Sequence, residues 1–209
     1  MILPVIYDNL NILLETGSVY VVAYFQELAN QFTNPITAFA QIMGFIPMFL
    51  GFFVFYFNDR KKILIIKVIC DSMFVAHFCL LNQWTGAAVC IVNVGRGLLF
   101  AQRDRKPVFD MLWVPVLICS LTIGGSLLTW AGPMSLLPMF GSVIAAIGYW
   151  CNSTAHLRKF NFVGIALWLV YSTITMSVPS MLNNVINLIS IIRTEIALCL
   201  HKRKEAHNG

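Results

Sequence analysis

Lys67, Asp71, His77, Arg96 and Arg193 are ionisable side chains that stand inside apolar runs of this sequence. At the centre of a membrane helix such a group costs about 2.5–3.5 kcal/mol on insertion scales, so each calls for a partner or a role. Lys67 and Asp71 are spaced i, i+4 and can pair with each other, and Arg96 is an alternative partner for the carboxylate. The pair reads either as an internal structural bridge or as a proton-coupling site. His77 lies about 120° around the helix from Asp71, and reads as a packed histidine or as a relay. Arg96 and Arg193 sit near the ends of their runs. There they either snorkel to the interface or mark the inner mouth of a cavity.

Amides form the second constellation, with Asn93 in one run and Asn183, Asn184 and Asn187 in the last. In hydrocarbon such groups must find partners in neighbouring helices, in water or in a ligand. They are helix-to-helix glue or a polar substrate site, for which Trp168, Tyr171 and Phe74 are candidate walls. No metal-binding helix motif, clustered acidic pair or nucleophile with a base is present, so neither enzyme activity nor a metal or cofactor is expected. The six cysteines are scattered, mostly in apolar runs, and read as small core residues.

The elements that must position these groups are membrane helices. With 58% apolar and 11% charged residues, the 209-residue chain belongs with polytopic membrane proteins. Its net charge of +5 lies in short clusters between apolar runs, a pattern of membrane topology that excludes a nucleic-acid-binding face. No cleavable signal peptide is expected, because the N-terminus lacks a basic region and a clean apolar stretch.

The spans read as 36–57, 63–81, 86–101, 109–130, 136–151, 161–178 and 181–199. Residues 1–33, with Asp8, Glu15 and Glu27, read as an acidic segment whose Tyr7, Leu10, Leu13 and Leu14 share one face of a surface helix. Pro47 is expected to kink the first span, and Trp84 and Trp130 fit an interfacial belt. Lys and Arg fall on alternate loops: Arg60, Lys61 and Lys62, then Arg103, Arg105 and Lys106, then Arg158 and Lys159, then Lys202, Arg203 and Lys204. The positive-inside rule puts these loops in the cytoplasm, with the N-terminus outside and the C-terminus inside. The tail 201–209 reads as disordered and attracted to anionic lipid. Asn152 begins a glycosylation-like triplet that this topology leaves cytoplasmic.

Landmarks of the first half return 97 residues on: Gly44 and Gly51 at Gly141 and Gly148, Lys61 and Lys62 at Arg158 and Lys159, Arg96 at Arg193. The fold class expected is therefore an all-α polytopic membrane protein of seven helices in a 3+1+3 parallel repeat. Residues 36–107 form the first three-helix unit, 108–131 a linker helix and 136–200 the second unit.

Such an arrangement resembles the broad SWEET, PQ-loop and PnuC transporter class. More closely, the stretches Phe49 to Lys62, Val75 to Arg96 and Leu136 to Trp150 look like the YgjV family of bacterial inner-membrane proteins, over about residues 39–195. The family's Asn-x-x-Arg matches Asn93 and Arg96, whereas the second copy in the gap-free register keeps Arg193 and has Ser190 at the Asn position. No Pro-Gln pair stands where the PQ-loop class has one, although Gln41 and Pro138 occupy equivalent positions. The resemblance implies a bacterial inner-membrane location and this fold. Together these readings point to a facilitator or proton-linked transporter of a small polar solute, with a midplane cavity between the two units. The alternative is a non-transporting membrane scaffold or partner subunit. Asn93, Asn184, Asn187, Trp168 and Tyr171 are the expected substrate residues, and Arg96, Arg193, Asp71, Lys67 and His77 the expected mouth or coupling residues.

Overall fold

Asn34 and Pro35 show how this sequence starts a helix. The Asn34 Oδ1 accepts from the Ile36 amide at 2.9 Å, and Pro35 follows at the first helical position, where its missing N–H leaves nothing unsatisfied. A computed structural model describes residues 21–54, 60–103, 107–151 and 153–208. These contain eight α-helices and no strand: α1 (residues 21–30), α2 (Pro35–Val54), α3 (Arg60–Leu80), α4 (Trp84–Ala101), α5 (Trp113–Leu128), α6 (Leu136–Trp150), α7 (Thr154–Ile174) and α8 (Val178–Asn208). The surface-helix expectation for Tyr7, Leu10, Leu13 and Leu14 lies outside the described residues.

The chain divides into two units, Met1–Phe39 and Ala40–Gly209. In the first, α1 exposes both Phe25 and Glu27, and the Thr37 hydroxyl ties the start of α2 to the Gln31 carbonyl at 2.5 Å. In the second, α3 packs along α4 and α6 along α7, α8 lies against α7, and α5 bridges α4 and α6. Among the described residues, Trp84–Ala101, Pro133–Trp150 and Val178–Leu200 are long and apolar enough to cross a membrane, while α5 and α2 as far as Gly51 are shorter apolar helices.

Two turns are built alike. After α3, Asn82 adopts φ 56° and closes the helix with Asn82 N–H to Cys79 O and Gln83 N–H to Phe78 O. After α7, Met176 at φ 53° does the same with Thr173 O and Ser172 O. Both are Schellman caps, which fill orphan carbonyls through one left-handed residue. Where α6 meets α7, glycine is required: a Cβ on Gly164 would lie 2.6 Å from the Gly141 carbonyl oxygen, and one on Gly141 2.9 Å from that of Gly164. Small residues let the two backbones touch.

Three expectations need correction. Arg158 and Lys159 are not in a loop, because α7 begins at Thr154, and Arg158 donates to the Glu195 carboxylate of α8 at 2.5 Å. The tail is not disordered, because α8 runs to Asn208. From Lys202 to Ala206 it consists of good helix formers with no Gly or Pro, and its cations suit a helix C-terminus. The gap-free register of 97 also fails beyond the first helices. α3 and α7 end at Leu80 and Ile174, 94 residues apart. The same spacing of 94 separates the caps Asn82 and Met176 and the starts of α4 and α8. At a spacing of 94 the position that follows from Arg96 is Ser190 rather than Arg193.

Candidate functional site

The ionisable and amide groups of the second unit converge on one cavity of about 70 Å³, enclosed by α2, α3, α4, α6, α7 and α8. That is room for on the order of five waters. Because its lining residues lie one turn apart on each helix, the inner face of every helix contributes in sequence: Lys67, Asp71 and Phe74 from α3, Asn93 and Arg96 from α4, Asn184 and Asn187 from α8. Trp168 of α7 stands 94 residues on from Phe74, and Asn187 94 on from Asn93.

The charges are held differently. Lys67 Nζ and Asp71 Oδ1 are 3.0 Å apart, with the carboxylate 6% exposed and the lysine 29%. Arg96 is 4% exposed. Its Nη1 donates to the Ser142 carbonyl at 3.3 Å and its guanidinium lies 4.8 Å above the Tyr149 ring, with no carboxylate within ion-pair distance among the described residues. Ser142 is the junction of three helices: its hydroxyl oxygen accepts from Asn93 Nδ2 at 3.2 Å and from Trp168 Nε1 at 3.0 Å. Asn184 Nδ2 donates to Ser172 Oγ at 3.3 Å.

Two amide oxygens are left over. Asn93 Oδ1 and Asn187 Oδ1 are buried with no hydrogen-bond partner among the described residues, on side chains only 7% exposed. A buried acceptor of this kind costs about 1–3 kcal/mol. Asn93 and Asn187 each stand nine residues beyond the first residue of their helix, about 13.5 Å along the axis. Phe74, Phe78 and Trp168 supply an apolar wall, with Phe78 and Trp168 centroids 5.9 Å apart.

Three of the expected residues lie elsewhere. His77 is fully buried, donating from Nδ1 to the Ala40 carbonyl at 2.8 Å and accepting at Nε2 from Ser177 Oγ at 2.7 Å. Both ring nitrogens are used in fastening α3 to α2 and to the turn before α8. Gln41 completes that fastening, donating to the Met176 carbonyl and accepting from the Val178 amide. Tyr171 accepts from the Gly86 amide at 3.1 Å in an aromatic cluster, and Arg193 is exposed on α8. Conversely, the cavity uses Ser142, Tyr149, Asn161 and Gly51, which the sequence reading did not select. Ser142 had a signal, being the one serine or threonine within the apolar run of α6.

Trp84 and Trp130 are both exposed, on helix ends joined by the Thr85 hydroxyl and the Thr129 carbonyl. Among the described residues no three His, Cys, Asp or Glu side chains group into a metal site.

Known proteins agree with this helical, membrane-like picture. Residues 38–202 match the Imp-YgjV family model, described as a bacterial inner membrane protein. Over 133 residues the chain is 25% identical to "Inner membrane protein YgjV" of Escherichia coli (strain K12), covering 64% of this chain and 69% of that one. No solved structure matches the chain significantly. The chain therefore belongs to the Imp-YgjV family and is a protein of the bacterial inner membrane.

Proposed function

We propose that the protein is a carrier of a small polar solute, bound at mid-membrane between a unit of α2, α3 and α4 and a unit of α6, α7 and α8. The observation that carries this reading is the pair of buried, unpartnered amide oxygens on Asn93 and Asn187, two side chains that line one cavity. A helix pair glued by amides would satisfy them; a binding site leaves them for the solute. Their place about 13.5 Å along α4 and α8 is close to half of a hydrocarbon core roughly 30 Å thick. The matching ends and caps of α3 and α7, 94 residues apart, support a parallel repeat, with α5 as the linker helix that restores orientation. In this arrangement, seven helices, α2 to α8, cross the membrane in the 3+1+3 order of the SWEET, PQ-loop and PnuC class, N-terminus outside and C-terminus inside.

The two ends of the cavity differ. Toward the α3–α4 and α7–α8 turns, His77, Gln41, Ser177 and Tyr171 tie the helices together with buried hydrogen bonds. Lys67, the more exposed partner of its ion pair, stands toward the other end. In the proposed orientation this is an outward-closed state facing the cytoplasm, and transport requires the two units to rock about the fixed site.

The test is a thermal-shift panel on the detergent-purified protein with sugars, nucleosides, amino acids, small carboxylates and inorganic anions, because a ligand of the folded state raises the apparent melting temperature. The expected result is a concentration-dependent shift for one class that disappears in Asn93→Ala and Asn187→Ala. Counterflow of that solute in proteoliposomes then separates a carrier from a binding scaffold. Shifts that persist in both variants would remove the proposed site.

A further inference from the structure

Resting on the carrier reading, we infer that the solute is a small hydroxymonocarboxylate, a monoanion of about five to eight heavy atoms by the cavity's size. Its carboxylate pairs with Arg96 and its hydroxyl donates to the free oxygen of Asn93 or Asn187.

Charge decides the first half. Lys67 and Asp71 neutralise each other at 3.0 Å, which leaves Arg96 as a buried cation without an anionic partner among the described residues. An isolated buried charge is strongly unfavourable, and a guanidinium with one of its five donors on a carbonyl has its fork free for a carboxylate. One excess positive charge matches one negative charge. A phosphate monoester, at about −1.5 to −2 near neutral pH, brings more negative charge than the cavity holds. A neutral sugar leaves Arg96 uncompensated. An amino acid brings an ammonium for which no carboxylate remains, since Asp71 is occupied by Lys67.

Hydrogen-bond inventory decides the second half. Asn93 Oδ1 and Asn187 Oδ1 are acceptors only, so the solute must donate. A plain fatty acid anion has no donor at neutral pH; a hydroxy acid has one. Arg96 and Asn93 are three residues apart on α4, neighbours on one face with about 4.5 Å of rise between them. That places an anion site and a donor-seeking site side by side, as a 2- or 3-hydroxy acid requires. Phe74, Phe78 and Trp168 face the remaining carbon atoms. The charges are also confined to one half: the positions 94 residues on from Lys67, Asp71 and Arg96 are Asn161, Ile165 and Ser190.

The experiment is titration calorimetry of the full-length protein in detergent with the sodium salts of lactate and 3-hydroxybutyrate, against propionate, alanine, glycerol and inorganic phosphate. A hydroxy acid is expected to bind on the order of tenfold tighter than propionate, the loss for leaving a buried acceptor unmatched. Arg96→Gln should weaken that binding on the order of 10- to 100-fold, and Arg96→Lys should restore part of it. Asn93→Ala or Asn187→Ala, whichever removes the accepting oxygen, should erase the preference for hydroxy acid over propionate, and a preference kept in both variants overturns the assignment. If Arg96→Gln does not fold, the hydroxy acid to propionate ratio in the parent decides alone, a ratio near one overturning the assignment. Tighter, Asn187-dependent binding of glycerol, alanine or phosphate overturns the hydroxy-acid assignment and leaves the carrier reading standing. Silence across this panel overturns the hydroxy-acid assignment, and the carrier reading falls only with silence across the wider thermal-shift panel as well.

Discussion

Replacing Asn187 by Leu should make the protein more stable and unable to bind its solute. Asn187 is 7% exposed and its Oδ1 has no partner, so the side chain carries the desolvation penalty of a buried acceptor, about 1–3 kcal/mol. Leucine has nearly the same size and branching and removes the acceptor. Cavity water recovers part of the penalty, which puts the expected gain at the lower end, about 1–2 kcal/mol. For a chain of this size each kcal/mol moves the melting temperature by about 2–4 °C. Asn187→Leu should therefore melt about 2–8 °C higher than the parent in the same detergent without added solute, while losing the ligand-induced shift. Asn184→Leu is the control of opposite sign, because Asn184 donates to Ser172 Oγ at 3.3 Å; it should lose about 0.5–1.5 kcal/mol. Both variants are read by the fluorescence of a thiol-reactive or intrinsic reporter during a temperature ramp. If Asn187→Leu melts several degrees below the parent, its oxygen is a structural anchor and the reasoning behind the site fails.

Three further outcomes follow from the packing. Lys67→Met leaves the Asp71 carboxylate, 6% exposed, without its partner and should destabilise by about 1–3 kcal/mol, less than a fully buried pair because Lys67 is partly exposed; adding Asp71→Leu should recover most of the loss in a double-mutant cycle of melting temperatures. Gly164→Ala drives a methyl against the Gly141 backbone and should lower stability by about 1–3 kcal/mol or abolish expression, whereas Gly124→Ala, with nothing within 4 Å of the new Cβ, should melt within a degree or two of the parent or above it. A fluorescent reporter that matures only in the cytoplasm should glow at the C-terminus and stay dark at the N-terminus; the reverse pattern refutes the proposed orientation.

Much of the fold was legible because hydrocarbon thickness constrains it. The apolar runs that became α4, α5 and α6 were read to within about four residues, and the pairing of Lys67 with Asp71 followed from their i, i+4 spacing. Helix ends were less legible. Arg158 and Lys159 were placed in a loop because charge ends an apolar run, yet charge does not end a helix: α7 starts before them and α8 continues through the basic tail. The repeat register was misread for a related reason. Gly44 and Gly51 lie in α2 and their partners in α6, and the pairs Arg96 with Arg193 and Lys61, Lys62 with Arg158, Lys159 keep the 97-residue spacing, whereas the ends and caps of α3 and α7 are 94 residues apart. The αL caps at Asn82 and Met176 and the starts of α4 and α8 show the spacing of 94, and a left-handed backbone at Met176 carries no strong sequence signature. Of the site, the charged and amide residues were visible as polar letters in apolar helices. Tyr149 and Gly51 were not, since an aromatic or glycine at helical spacing looks the same whether it faces lipid, a neighbour or a cavity.

The unequal chemistry of the two halves bears on vectorial transport. With matched amides at Asn93 and Asn187 and no other difference, a bound solute would have two degenerate poses, related by the pseudo-twofold axis of the proposed repeat. In the proposed carrier, Arg96 with Ser190 in its place on the other side would lift that degeneracy, keeping one end of the solute toward α4 whichever unit had moved. The two access states then present it with different surroundings at the membrane surface, so its affinities from the two sides differ. The direction of net movement at equal concentrations is still set only by coupling to another gradient, but the half-saturation concentrations for entry and exit are unequal from the outset.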